Sequence, residues 1–328
     1  MKPIAFTDFD KIAQTVDFDC LALALFRYQF EHNPVYRSYC DLINRGPSEV
    51  QTAEAIPFLP IQFFKSHEVR CFSEPPEKIF LSSSTTGQIP SRHFVRSLRP
   101  YHQSFEKAFE LFYGAVEDYV VLALLPSYLE REASSLVHMA ATLIEKSQHS
   151  ESGFYLNNYA ALAEVLKRLE DRKQKTLLLG VSFALLEMAE KFPLALSNTL
   201  IMETGGMKGR GEEMVRTQLH QKLKNSFGVS EIHSEYGMTE LLSQAYSSSG
   251  GVFECPPWMK IFIRSTEDPF DLLPDHRVGG INIIDLANID SCAFIATQDL
   301  GKKAADGSFE ILGRFDAAEI RGCNLLVL

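Results

Sequence analysis

Three hydrophobic rhythms follow one another along the chain. In residues 1 to about 75 the apolar positions recur at helical spacing, as in "CLALALFRYQFEHN", where Leu21, Ala24, Leu25 and Tyr28 fall on one face. The proline-containing stretch "AIPFLPIQFFKSHEV" then ends the helices and leads toward a first strand. From Ile79 onward, short apolar runs rich in β-formers ("YVVLALL", "KTLLLG", "TLIMETGG", "SEIHSEYG") alternate with amphipathic helices. In one of these, "EEMVRTQLHQKLKNSFG", Val215, Leu219 and Leu223 repeat every fourth residue before a stop at Gly228. Such alternation predicts βα units, hence an α/β fold with mostly parallel sheets covered by helices. After about residue 250 the pieces "MKIFIRS", "GGINIIDL", "CAFIATQDLG" and "GSFEILGR" predict short strands, one pair turned at Asp306 and Gly307. The expected organisation is a helical leader over 1–75 packed on the core, an α/β core over 76–250, and a β-rich closing subdomain with a short C-terminal tail over 251–328. No internal repeat or low-complexity segment interrupts it.

Composition narrows the class. The 328 residues are 45% hydrophobic and 23% charged, enough to bury a full core in one large or two closely packed domains. A net charge of −10, with no Lys/Arg stripe, argues against a general nucleic-acid or membrane-surface role and leaves a small-molecule or protein partner. The six cysteines, Cys20, Cys40, Cys71, Cys255, Cys292 and Cys323, lie far apart without C-x-x-C spacing, so neither a zinc site nor a redox pair is expected. Reduced thiols in a cytoplasm are the simplest reading. The N-terminus has no apolar signal region and "YVVLALL" is too short to span a bilayer, so a cytoplasmic location is expected.

Four stretches carry candidate chemistry. In "IFLSSSTTGQIPSRH" an apolar run, read as the end of a buried strand, leads into the hydroxyls Ser82, Ser83, Ser84, Thr85 and Thr86, then Gly87. Hydroxyls and backbone N–H groups wrap a phosphate without net charge, and glycine lets the backbone approach; a plain polar loop is the other reading of such a run taken alone. The Walker pattern is absent. In "HSEYGMTE", Tyr236 offers a face for stacking, Gly237 a close approach, Thr239 a phosphate donor and Glu240 a hard oxygen for Mg2+. Taken singly, Tyr236 also suits a core and Glu240 a helix start. In "TQDLG" and "GRFD", Asp299 can accept both hydroxyls of a ribose and Arg314 can donate to a ribose or phosphate oxygen, although a solvated Arg/Asp pair reads the same way. In "ETGGMKGRGEE", Gly205 and Gly206 would let a flat ligand lie on bare backbone, with Lys208 and Arg210 beyond them as solvated charges.

In this order the pieces resemble the adenylate-forming superfamily of acyl- and aryl-CoA ligases, luciferases and peptide-synthetase adenylation domains. Its phosphate loop [ST]-[ST]-G-[ST]-T-G-x-P is matched by "SSSTTGQIP", its Y-G-x-T-E by Tyr236 to Glu240, its T-G-D by Thr297, Gln298 and Asp299, and its G-R-x-D by Gly313 to Asp316. The resemblance implies that Ser82, Ser83, Ser84, Thr85, Thr86 and Gly87 hold the β- and γ-phosphates of ATP, that Tyr236 stacks on adenine, and that Thr239 touches the α-phosphate. It further implies that Glu240 holds Mg2+, that Asp299 takes the ribose hydroxyls, and that Arg314 stands close by. The implied reaction is attack of a carboxylate on the α-phosphorus, giving an acyl-adenylate and pyrophosphate. This chain departs from the pattern at Ser84 and Gln298, where the family has glycine, and after Pro90, where Ser91, Arg92 and His93 replace the lysine and Arg92 would take over its charge. Twelve residues follow Asp316, where ordinary members continue into a lid with a catalytic lysine, so a lid-less form is expected.

One branch lacks that lid, the acyl-protein synthetases of the bacterial fatty-acid reductase system (LuxE-type). The resemblance to it runs nearly the full length, through "ALFRYQFEHNPVYRSYC", "IPFLPIQFFKSHEV", "SSTTGQIPSRH", "LPSYLEREASSLVHM", "ETGGMKGRG", "HSEYGMTELLSQAY" and "EIRGCNLLVL". It implies transfer of a fatty or similar acyl group to Cys323 of the enzyme itself, for a partner reductase or acyltransferase. Two alternatives stay open: an acid–CoA ligase of phenylacetate-CoA-ligase type, and a degenerate nucleotide-binding subunit that scaffolds a complex. The identity of the acid and the oligomeric state are not legible.

Overall fold

The computed structural model describes residues 9, 12, 17–83, 89–125, 133–205 and 214–314. The first long helix, Phe18–His32, starts where the Asp17 carboxylate accepts the Asp19 N–H. Its buried face is Leu21, Ala22, Leu25, Phe26 and Gln29, rotated from the expected stripe, since Ala24 and Tyr28 are only half-buried. The rotation has a polar cause. Gln29 is fully buried; its Nε2 donates to the carbonyls of Asn288 and Ile289 at 2.8 Å each, and its Oε1 accepts the Ala293 N–H at 2.9 Å. Asn33 adds a bond from Nδ2 to the Ser291 carbonyl at 3.0 Å. After the helix Pro34–Leu42, the proline-rich stretch contributes β1 (Leu59–Pro60) and a short helix, Phe63–Ser66.

Next comes a separate antiparallel hairpin, β2 (Lys78–Leu81) and β3 (Arg92–Val95). The apolar run "IFL" is therefore not a buried strand of the parallel sheet: Phe80 points inward, while Ile79 and Leu81 are 37% and 38% exposed. A two-residue alternation of burial belongs to a strand covered on one face only.

The parallel sheet holds β4 (Val120–Leu124), β5 (Gly153–Phe154), β6 (Thr176–Val181), β7 (Thr199–Thr204) and β8 (His233–Tyr236), with β9 (Ala245–Ser247) antiparallel at one edge, in the order β5-β4-β6-β7-β8-β9. All residues of β4 and β6 are buried, which is why both read as unbroken apolar runs: helices cover the two faces. The helix Arg216–Phe227 buries Leu219, Leu223 and Phe227 and ends at Gly228 in the left-handed region, φ +64. Val215 keeps the helical spacing but stands at the N-cap, 62% exposed, and takes no part in the core.

The closing sheet contains β10 (Val252–Phe253), β11 (Met259–Arg264), β12 (Val278–Asp285), β13 (Phe294–Lys303) and β14 (Phe309–Arg314), in the order β10-β14-β13-β12-β11, with β1 added parallel to β13. The β13–β14 hairpin turns at Asp306 and Gly307 as expected, Gly307 having φ +89. Through Gln29, Asn33 and β1 the leader packs on this closing sheet. No described helix is long and apolar enough to cross a membrane.

Candidate active site

The parallel strands β6, β7 and β8 deliver their carboxyl ends, at Val181, Thr204 and Tyr236, to one edge of the sheet, the side on which open α/β sheets bind ligands. Tyr236 lies there, buried, its ring edge-on to Phe253 and Phe309. Its hydroxyl donates to Asp299 Oδ2 at 2.7 Å, and burial together with that carboxylate raises the phenol well above its usual range. Arg314 Nε lies 3.4 Å from Asp299 Oδ1 on the opposite side. Tyr236, Asp299 and Arg314, drawn from two sheets, thus form one cluster. Gly237 follows, where a Cβ would fall 2.5 Å from Glu235 Oε1, so a side chain there would push the Glu235 carboxylate aside.

Glu240 and the hairpin form the second part. Glu240 is buried and hydrogen-bonded to Ser91; burial pushes its carboxyl up, and the Ser91 hydroxyl partly offsets this. The charges of Arg314 and Lys65 also act against the burial, neither forms an ion pair with Glu240 among the described residues, and no cluster of three or more His, Cys, Asp or Glu that could hold a metal occurs among them. His93, fully buried, puts Nδ1 2.8 Å from the Thr239 carbonyl and Nε2 3.1 Å from Asn288 Oδ1. Asn288 Nδ2 in turn donates to the Glu240 carbonyl at 2.9 Å. Burial lowers the imidazole to about 4. A neutral ring carries one N–H, so it donates to one of those two oxygens at a time. His93 therefore ties the hairpin to the Thr239 and Glu240 backbone.

The hydroxyl run begins in a fixed frame. The Ser91 N–H donates to Ser82 Oγ at 2.8 Å, and the Ser82 N–H to the Ser91 carbonyl at 3.1 Å. Ser84, Thr85, Thr86 and Gly87 lie outside the described residues, as do Gly206, Lys208, Arg210 and Cys323. Arg92, beside this frame on β3, holds its guanidinium 5.5 Å from the centre of the Phe94 ring.

At the end of β7, Gly205 is exposed with φ +67, a conformation suited to glycine. Beneath it, Glu203 gathers Ser182 Oγ at 3.0 Å, Ser234 Oγ at 2.8 Å, Arg216 Nε at 3.3 Å and His220 Nε2 at 3.5 Å. Burial opposes its ionisation, but His220, Arg216 and Ser234 outweigh that and hold the carboxyl below the usual range. Arg216 also reaches the Ile311 carbonyl of β14 at 3.4 Å, so this network couples the two sheets. Neighbouring Glu235 accepts from Thr204 but pairs with no cation among the described residues, and burial raises its carboxyl to about 7.

Of the residues named from the sequence, the structure brings Tyr236, Asp299 and Arg314 together and sets Glu240 beside the hairpin; His93, Asn288, Glu203 and Arg216, which link these segments, were given no role from the sequence. His93 stood in the quoted "SRH", read for its charge; its burial was the missing information. The described cysteines are free thiols. Burial pushes Cys40 up to about 12 and Cys71, Cys255 and Cys292 higher, while the Asp17 carboxylate raises exposed Cys20. None of these is primed as a thiolate nucleophile.

No protein-family profile matches the sequence, and no curated protein does. Solved structures do match. ATP-bound MatB from Rhodopseudomonas palustris superposes with a TM-score of 0.56 at 15% identity, over 89% of this chain and 61% of that one. A 2-hydroxyisobutyryl-CoA ligase in an open conformation, with 2-HIB-AMP and CoA, gives 0.66 at 12% identity over 91% of this chain and 74% of that one. The same ligase in its postadenylation state gives 0.66 at 12%, over 91% and 68%. The chain therefore shares its fold with these proteins. The chain spans about three-fifths of the length of MatB.

Proposed function

We propose that this chain activates a carboxylic acid with ATP, forming an acyl-adenylate, and then carries the acyl group on Cys323. The observation that supports the reading best is the cluster of Tyr236, Asp299 and Arg314 at the carboxyl end of β8, in a fold shared with structures that hold ATP or an acyl-adenylate. In the first step a carboxylate oxygen of the acid attacks the α-phosphorus, the bond to the bridging oxygen of the β-phosphate breaks, and pyrophosphate leaves. Tyr236 would line the adenine, Asp299 would accept the ribose hydroxyls, and Thr239 and Arg92 would contact phosphate. The run Ser82, Ser83, Ser84, Thr85, Thr86 and Gly87 would cradle the β- and γ-phosphates, and Gly205, Gly206 and Gly237 would let the nucleotide lie on the backbone. Glu240 would hold a Mg2+ that neutralises phosphate charge. The chain's work is positioning and charge stabilisation.

In the second step the Cys323 thiolate attacks the acyl carbonyl and AMP leaves, giving a thioester on the protein. The high pKa values of the buried thiols support Cys323 over Cys40, Cys71, Cys255 and Cys292 as the acceptor. A fatty or similar acid, and a reductase or acyltransferase that collects the acyl group, complete the proposal. CoA as the acceptor is the second reading, favoured by the CoA bound in the matching hydroxyisobutyryl ligase structure. The test is acid-dependent ATP–pyrophosphate exchange over short, long and aromatic acids, with intact-protein mass spectrometry and a CoA-consumption assay. Exchange with an acyl mass on Cys323, lost in Cys323→Ser while exchange persists, is the expected result. CoA consumption without acyl-protein selects the second reading, and no exchange with any acid rejects adenylation.

A further inference from the structure

Asp299 does not sit in a regular strand. Opposite the single residue Ile281 of β12, between the pairs Gly280↔Leu300 and Asn282↔Ala296, β13 carries the three residues Thr297, Gln298 and Asp299. Such an insertion re-aims side chains and leaves backbone groups to be satisfied by other means. The group that satisfies them here is the Arg264 guanidinium. Arg264, the last residue of β11, is 7% exposed; Nη1 donates to the Ile281 carbonyl and to Asn282 Oδ1 at 2.8 Å each, and Nη2 donates to the Thr297 carbonyl at 2.6 Å. Thr297 Oγ1 donates to the same Ile281 carbonyl at 2.9 Å and accepts the Asp299 N–H at 3.1 Å.

The surroundings are built for this cation. A Cβ at Gly280 would fall 2.5 Å from Arg264 Cζ, and one at Gly279 would fall 2.2 Å from the Arg264 carbonyl oxygen. Burial lowers the guanidinium to about 10, and the charges of Tyr39, Asp299 and Tyr236 pull the other way. Burying a guanidinium is costly and a planar fork is needed to reach acceptors on two strands, so an apolar residue would have served the core better if packing were the only task.

We infer that Arg264 is a positioning residue for the nucleotide site, holding the bulge at residues 297–299 in the shape that presents Asp299 to the ribose hydroxyls. The inference rests on the adenylation reading above. It assigns Arg264 no contact with substrate; its effect passes through the Thr297 carbonyl and the Asp299 backbone.

The experiment measures affinity of the full chain for ATP and for 2′,3′-dideoxy-ATP, which lacks both ribose hydroxyls, in the parent protein and in Arg264→Lys, Gly280→Ala and Asp299→Asn. Lysine keeps the charge but cannot fork to two strands; the alanine methyl displaces the guanidinium without removing it. Both should weaken ATP about tenfold and leave dideoxy-ATP within about twofold, because the lost interaction is a hydrogen bond to a charged group made only when the hydroxyls are present. Equal weakening of both nucleotides, or of neither, in a folded Arg264→Lys protein overturns the inference. If Arg264→Lys does not fold, Gly280→Ala decides on the same criterion. A parent protein that binds both nucleotides equally, with Asp299→Asn unchanged, removes the ribose contact and with it the reading on which the inference stands. Discrimination lost in Asp299→Asn but kept in Arg264→Lys rejects the inference alone.

Discussion

The Tyr236 hydroxyl and the Asp299 carboxylate meet at 2.7 Å across 63 residues of sequence, joining the end of β8 to the middle of β13. The bond orients Asp299 from the parallel sheet while Arg314 holds it from the other side. Tyr236→Phe keeps the ring against Phe253 and Phe309 and removes only this donor. Folding stability should fall by about 1.5–3 kcal/mol, the range for a hydrogen bond to a charged group, and ATP affinity should fall only as far as Asp299 loses its fixed orientation. Nucleotide titration and circular dichroism on the same samples check both parts.

Arg314 gives the opposite balance of stability and binding. Its side chain is 64% exposed, so its pair with Asp299 is screened by water and Arg314→Ala should change folding stability by less than about 1 kcal/mol. The same change should weaken nucleotide binding several-fold, since the cation stands where ribose and phosphate oxygens would arrive. Urea denaturation beside ATP titration separates the two effects.

His93→Leu should destabilise the fold by about 1–3 kcal/mol, because the single N–H that the neutral ring donates to the Thr239 carbonyl or the Asn288 amide oxygen is lost from a buried position. The hairpin and the Thr239 and Glu240 backbone would then come apart locally. Hydrogen exchange should show new opening at both segments and at no distant strand.

Glu235 makes the protein sensitive to alkali. Burial raises its carboxyl from the ordinary 4.5 to about 7, so the folded protein favours the protonated form. Its contribution is fully present below about pH 4.5 and is lost as pH rises through 7, amounting to about 3 kcal/mol at most. Glu235→Gln keeps an acceptor for Thr204 and should flatten that loss. Thermal melts from pH 5 to 9 should show the variant gaining on the parent as pH rises, and parallel curves would disprove the assignment.

The elements legible in the sequence were those whose burial is the same on every residue or alternates cleanly. β4 and β6 are covered on both faces, and their unbroken apolar runs say so. "IFL" is just as apolar, yet two of its three residues face outward, a fact set by which partner covers the hairpin and absent from residue identity. Val215 shows the same limit, having helical spacing at a position that only caps the helix. At the candidate site, residues contiguous in sequence could be named because their types match one chemistry, and Tyr236, Asp299 and Arg314 do come together. His93, Glu203 and Arg264 were not, because each acts through partners brought close only by the fold, carbonyls for His93 and Arg264, hydroxyls and cations for Glu203.

The pairing of β1 with β13 sets an order of events during synthesis. Leu59 and Pro60 align with Ile295 and Ala296, and Gln29 is satisfied only by backbone between Asn288 and Ala293. The leader is translated well before the closing sheet, yet its buried amides have nothing to bind until residues 288–293 have been made. The parallel sheet, with its local βα contacts, can assemble in the interval. The first helices must then wait, polar groups hydrated, as the last piece to dock, and a chain halted before residue 294 would be left with a leader that has no seat.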